Sequence, residues 1–256
     1  MAVAEYEQLL GKLRQLRLSR MAELLDAALK EAASSSMTYL DFLRRLVDEE
    51  FRARQERAVA ARVVKSRMPA IKTLESFDFS YQPSLNPRKV WELAELRFIE
   101  RHENLVILGP PGVGKSHIAL ALGFRACQAG YKVLFTTLTD MAAQLRASHA
   151  DSTFLNALKT YTAPELLIID EVGYLPVEEQ VANYLFQVVA RRYEQSSIIL
   201  TSNKSFTDWG EMLGDTVLAG AILDRLLHHA TVLTINGPSY RMKDKLQMLG
   251  RKEGQS

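Results

Sequence analysis

The segment Gly109-Pro110-Pro111-Gly112-Val113-Gly114-Lys115-Ser116 limits what this chain can fold into more than any other. It fits G-x-x-x-x-G-K-[ST], the phosphate-binding P-loop, which joins the end of a buried strand to the start of a helix. Both neighbours are legible. Asn104 to Leu108 reads as a buried strand and His117 to Ala129 as a helix. The glycines let backbone N–H groups turn toward the β- and γ-phosphates. Lys115 can place its ammonium between them, and the Ser116 hydroxyl suits a Mg²⁺ ligand. The expected cofactor-binding set is Gly109, Pro110, Pro111, Gly112, Val113, Gly114, Lys115, Ser116 and His117.

The rest of the chain is read outward from this motif. Tyr131 to Thr136, Leu166 to Asp170, Ser197 to Ser202 and Thr231 to Ile235 read as further strands. Helices over Val177 to Glu194 and Thr216 to His229 lie between them. Such alternation predicts an α/β fold, a parallel five-stranded sheet between helices. Residues 1–68 read as helix only. Leu9, Leu10, Leu13, Leu16, Met21, Leu24, Leu25 and Ala28 recur at helical spacing and predict one helix before Ser34-Ser35-Ser36 interrupts. Thr38 with Asp41 then gives a capping-box pattern. Tyr39, Leu40, Phe42, Leu43, Leu46, Val47 and Phe51 form the apolar stripe of a second helix. The expected division is a helical partner- or DNA-binding domain over 1–68, a linker anchored by Phe77, Phe79 and Tyr81 over 69–86, and an ATPase domain over 87–256.

Composition excludes several classes. With 47% hydrophobic residues, a sizeable core can be buried. A net charge of +2 does not by itself demand nucleic acid. The single cysteine, Cys127, makes neither a disulfide framework nor a zinc cluster, as expected in a reducing cytoplasm. No apolar run approaches the ~20 residues of a membrane span, and no signal-peptide pattern is seen. A cytoplasmic protein without a membrane partner is expected. The stretch from Arg44 to Lys72 is rich in arginine, including Arg52, Arg54 and Arg57. It reads either as a solvated helix face or as a surface for DNA phosphates.

Four further positions invite chemistry. Leu166-Leu167-Ile168-Ile169 ends in Asp170-Glu171, two acids at the carboxyl end of a strand, where ligands bind in open α/β sheets. Asp170 suits the Mg²⁺ shell. Glu171 suits polarising a water that attacks the γ-phosphate, which points to hydrolysis rather than transfer to a small acceptor. Asn203, after Ile198-Ile199-Leu200-Thr201-Ser202, reads as a γ-phosphate or water contact, or as a turn asparagine. Arg225 stands alone on the apolar stretch Ala221 to Leu227. It pairs with Asp224 or a neighbouring acid, or reaches the nucleotide of an adjacent subunit as an arginine finger. Arg241 is a candidate second phosphate sensor, or a surface charge.

With the P-loop, Asp170-Glu171, Asn203 and Arg225 in this order, the chain resembles an AAA+ ATPase. More narrowly, it is similar to the group of bacterial helicase loaders and IstB-type helper ATPases of insertion-sequence transposition. Thr73-Leu74-Glu75-Ser76-Phe77-Asp78-Phe79 is similar to the segment that introduces the ATPase domain in that group. Thr201-Ser202-Asn203-Lys204 with Trp209, then Ala221 to His229, is similar to the IstB type. The resemblance implies Walker A, Walker B, sensor 1 and a trans arginine. It also implies ATP with Mg²⁺, hydrolysis to ADP and phosphate, and an ATP-dependent oligomer on duplex DNA of little sequence preference. A cognate transposase would be stimulated at the chosen target. The alternative within the group is a replicative helicase loader; the zinc-binding N-terminus that some loaders carry has no counterpart here. Only Asn236 to Ser256 follow the last strand, so no full C-terminal lid domain is expected, and a neighbouring subunit is expected to cover the nucleotide.

Overall fold

The computed structural model describes residues 2–150, 153–174, 179–240 and 242. The chain forms two compact units that divide between Ala61 and Arg62.

In the first unit, α1 (Ala2–Gln15) and α2 (Ser19–Ser34) precede the long α3 (Tyr39–Lys65), whose last turn belongs to the second unit. The single helix expected from Leu9 to Ala28 is broken at Arg17, which takes the left-handed conformation at φ 58°. No proline or glycine marks the break. Leu10, Leu13, Leu25, Ala28 and Leu46 are the buried core of this unit. The expected stripe on α3 is only partly used. Leu46 is buried and Phe42 half-buried, whereas Leu40, Leu43, Val47 and Phe51 are exposed. Thr38 caps α3 as its sequence predicts, its Oγ1 accepting from the Asp41 amide at 3.1 Å.

In the second unit, α4 (Pro87–Leu93) and α5 (Arg97–Glu100) lead into β1 (Asn104–Leu108). Asn86 caps α4, accepting from the Arg88 amide at 2.9 Å, with Pro87 in the first turn. There follow α6 (Lys115–Ala129), β2 (Val133–Thr137), α7 (Leu138–Ala150), α8 (Phe154–Thr162), β3 (Leu166–Val172) and α9 (Glu179–Arg192). The chain continues through β4 (Ser197–Ser202), α10 (Trp209–Leu213), α11 (Thr216–Leu227) and β5 (Ala230–Thr234). Val177, the expected start of α9, lies outside the described residues.

All pairings are parallel, in the order β2-β3-β4-β1-β5. Both faces are covered, so the strands are apolar on each side rather than alternating. Leu105 and Ile107 of β1 face one core with Ile118, Leu122 and Ala126 of α6. Val106 faces the other, with Leu145 of α7, Leu185 of α9 and Ile222 of α11. Cys127 is buried in the first of these cores, where burial raises its thiol above the ordinary range. Among the described residues, no helix is long and apolar enough to cross a membrane.

Candidate nucleotide site

The P-loop leaves β1 and opens α6. Gly112 and Gly114 have φ of +82° and +104°, backbone that L side chains rarely adopt. A Cβ at Gly112 would overlap the Ser239 hydroxyl, and one at Gly114 would overlap the Phe77 ring. Gly114 supplies no side-chain cap to α6. The first-turn amides of this helix therefore offer a cradle for an anion. Lys115 is buried, and its ammonium donates to the carbonyls of Gly109 at 2.7 Å and Pro110 at 2.8 Å.

The segment before α4 closes over this loop. His117 Nε2 lies 2.9 Å from the Thr73 carbonyl and 3.2 Å from Ser76 Oγ, and its ring meets Phe77 edge-on at 5.3 Å. Burial holds the His117 pKa below the ordinary imidazole value. Tyr240 packs against Phe77 and Tyr81 and donates to the Asp78 carbonyl. Burial, reinforced by Asp78, pushes its phenol up to about 12. A cavity of about 360 Å³ results, bounded by Lys72, Phe77, Asp78, Lys115, Tyr174 and Tyr240. Its floor is the glycine cradle and its wall aromatic, a shape and chemistry that fit a nucleotide. Sequence reasoning did not assign Phe77, Asp78, Tyr174 or Tyr240 to it. The alternating aromatics after Thr73 were the available signal.

At the carboxyl end of β3, Asp170 is buried, and its Oδ1 accepts from Ser116 Oγ at 2.9 Å and from Thr201 Oγ1. The P-loop serine and the strand acid are thus in direct contact, two oxygen ligands side by side of the kind Mg²⁺ takes. Glu171 is exposed and left-handed, at φ 62°. It borders a second cavity of about 450 Å³ with Arg67, Thr137, Asp140 and Gln144. Asn203 Oδ1 is buried without a hydrogen-bond partner among the described residues. A buried carbonyl oxygen left this way favours a ligand or water contact over a plain turn role.

Arg225 lies elsewhere. It lies in the last turn of α11, which leads into β5 at Ala230, opposite Asn104, the first residue of β1. The P-loop follows the other end of β1, roughly 13 Å along the strand. The Arg225 guanidinium donates to the Ala221 carbonyl at 2.9 Å and lies 5.1 Å from the Phe186 ring. Among the described residues it makes no ion pair with Asp224 or any other acid. Arg241 lies outside the described residues.

The expected DNA arginines have acidic partners. Arg52 donates to Glu49 at 2.8 Å. Arg54 Nε and Arg57 Nη2 both donate to Glu50 Oε1, at 3.2 and 3.1 Å. Glu50 is buried, and its other oxygen accepts from the amides of Arg20 at 2.7 Å and Met21 at 3.1 Å. Burial works to raise the Glu50 pKa, but these hydrogen bonds outweigh it and hold the carboxyl below its ordinary value.

This fold and this loop define a P-loop protein of the AAA+ class. The profile of the IstB-like ATP binding proteins matches residues 11–248, and the chain belongs to that family. It is 47% identical to the insertion sequence IS21 putative ATP-binding protein of Pseudomonas aeruginosa, over 94% of this chain and 90% of that one. It is 46% identical to the IS5376 putative ATP-binding protein of Geobacillus stearothermophilus, over 90% of this chain and 92% of that one. Among solved structures, AMPPCP-bound DnaA from Aquifex aeolicus superposes with a TM-score of 0.54 at 24% identity, over 66% of this chain and 50% of that one. The DnaC helicase loader superposes at 0.50 and 21% identity, over 58% of this chain and 87% of that one. At these identities the likeness is one of fold.

Proposed function

We propose that this protein is an ATP-hydrolysing, DNA-binding helper of transposition that works in the cytoplasm on duplex DNA with a cognate transposase. The observation that carries the reading is the contact between Ser116 and Asp170, which joins the P-loop to the acid-bearing strand end. The insertion-sequence names of the relatives at 47% and 46% identity favour transposition over helicase loading.

In this reading the first-turn amides of α6 and the Lys115 ammonium hold the phosphates. Ser116 and Asp170 would hold Mg²⁺, which when bound supplies charge neutralisation on the phosphate oxygens. Glu171 takes a proton from water as the water oxygen bonds to the γ-phosphorus. The bond from that phosphorus to the bridging oxygen breaks, leaving ADP and phosphate. Asn203 orients the water or a γ-phosphate oxygen. Arg225, at the far end of the sheet from its own P-loop, serves the nucleotide of a neighbouring subunit. Assembly then follows ATP, and many weak phosphate contacts add to avidity. Arg52, Arg54 and Arg57 supply part of those contacts, with little preference for sequence.

The test is duplex binding by the full chain in a salt titration, with and without ATP. Glu171→Gln should bind ATP, hydrolyse it at least about 100-fold more slowly, and hold DNA longer. Arg52→Ala should lower the salt slope by about 1 per subunit engaged. Equal DNA affinity without nucleotide would sink the assembly reading. Arg225→Ala should lose turnover, and mixing it with Lys115→Ala should restore some. No recovery at any mixing ratio would place Arg225 in a structural role.

A further inference from the structure

The pairing of β3 with β4 is interrupted at the acid pair. Ile169 stands opposite Leu200, and pairing resumes at Val172 opposite Ser202. Asp170 and Glu171 therefore face a single residue of β4, Thr201. This two-against-one arrangement is a β-bulge, which re-aims a side chain and takes a backbone group off the ladder. Glu171 is the residue so displaced, and its left-handed conformation is costly for a residue with a Cβ. Its amide finds a partner in the Thr201 hydroxyl, at 3.2 Å. The same hydroxyl donates its proton to Asp170 Oδ1. Thr201 is 1% exposed, so water does not substitute for it easily.

We propose that Thr201 is a positioning residue that locks the two acids into one unit. Its hydroxyl spends its donor on the Asp170 side chain and accepts from the Glu171 backbone. The Asp170 oxygen it touches is the one that also accepts from Ser116. P-loop, metal-binding acid and base are thereby held by one network, whose β4 arm runs on to Asn203. The inference rests on the reading of Glu171 as the base.

The experiment is steady-state and single-turnover ATP hydrolysis by the full chain, with nucleotide affinity measured by titration of a fluorescent ATP analogue. Thr201→Val keeps the shape and removes both hydrogen bonds. It should lower kcat by about 10- to 100-fold, as misplacement of a reacting group does, and leave affinity within about 3-fold. Thr201→Ser keeps both hydrogen bonds and should stay within about 3-fold of the parent. Thr201→Cys, with only a weak donor, should be slow like Val; if the Val variant fails to fold, the Ser and Cys pair decides. In a Glu171→Gln background, Thr201→Val should add clearly less loss than it causes in the parent, because much of its effect passes through the placement of Glu171. A parent-like Val or Cys variant, a Ser variant as slow as Cys, or full additivity with Glu171→Gln would overturn the proposal. The two readings fail separately. Parent-like turnover by Glu171→Gln removes the base assignment, whereas a slow Glu171→Gln beside a fast Thr201→Val removes only the role of Thr201.

Discussion

Of the helices that begin without a side-chain cap of their own, α2 and α6 are treated by the fold in opposite ways. Leu18 precedes α2 and Gly114 precedes α6, and neither caps its helix. Each helix start presents unsatisfied amides and the positive end of a helix dipole. At α2 an internal anion answers. The Glu50 carboxylate, from α3, accepts the Arg20 and Met21 amides. At α6 the residues that could have capped are glycines, and a buried lysine stands beside them. The first arrangement closes a structure. The second suits an anion that arrives from outside.

The sharpest way to break this contrast is at α6. Lys115→Ala removes the cation, whose ammonium donates to the carbonyls of Gly109 and Pro110, and leaves the glycines of the loop in place. ATP affinity should fall by at least about 100-fold, roughly 3 kcal/mol. Titration of a fluorescent nucleotide checks this, and unimpaired binding would refute the α6 cradle.

The matching change at α2 is Glu50→Ala, which should destabilise the first unit by roughly 3 kcal/mol, the sum of a lost cap and lost charge-assisted bonds. ATP affinity should stay within about 2-fold of the parent, because the partners of the Glu50 carboxylate, Arg20, Met21, Arg54 and Arg57, belong to its own unit. Hydrogen exchange at the Arg20 and Met21 amides reads the effect directly. Protection equal to the parent's would mean that α2 does not depend on its distant cap. Arg54 and Arg57 share the other oxygen of Glu50, Oε1, so neutralising them takes the arginine partners from the capping carboxylate. Arg52, on the half-buried Glu49, is the cleaner probe of DNA.

Acid gives the smallest and most graded comparison. Burial lowers the His117 pKa, so the unfolded chain binds the proton more readily than the folded one. That contribution is fully present above the ordinary histidine value and is lost as pH falls through it toward the folded value. Glu50, with its pKa lowered, keeps its contribution until pH drops below the ordinary carboxylate range. Exchange near His117 should therefore quicken at milder acidity than exchange at Arg20 and Met21. Simultaneous loss in both regions would contradict the separate origins.

Much of the site could be read in advance. The P-loop, the strand before it and the helix after it are local patterns, as are the Thr38 and Asn86 caps. Asp170 and Glu171 follow four apolar residues that read as a buried strand. The misses have one physical cause. The break at Arg17 carries no local mark. It is held by partners far along the chain, Arg54 donating to the Arg17 carbonyl at 3.0 Å and Glu50 capping the helix that follows. The exposed half of the α3 stripe, Leu40 to Phe51, is helical by period. Period alone does not say which apolar residues find a neighbour.

The sequence by itself determined a parallel α/β sheet, a phosphate loop and two acids at a strand end, because each is written in residues close together along the chain. Only the tertiary structure decided which hydroxyl joins those acids. Thr201 is 30 residues from Glu171 and reaches it through strand order and a bulge. Tertiary structure also placed Arg225 away from its own P-loop, and set aromatic residues from both ends of the second unit, Phe77 and Tyr240, over one cavity. Strand pairing brings distant residues within hydrogen-bond reach, and no periodicity along a chain encodes which ones will meet.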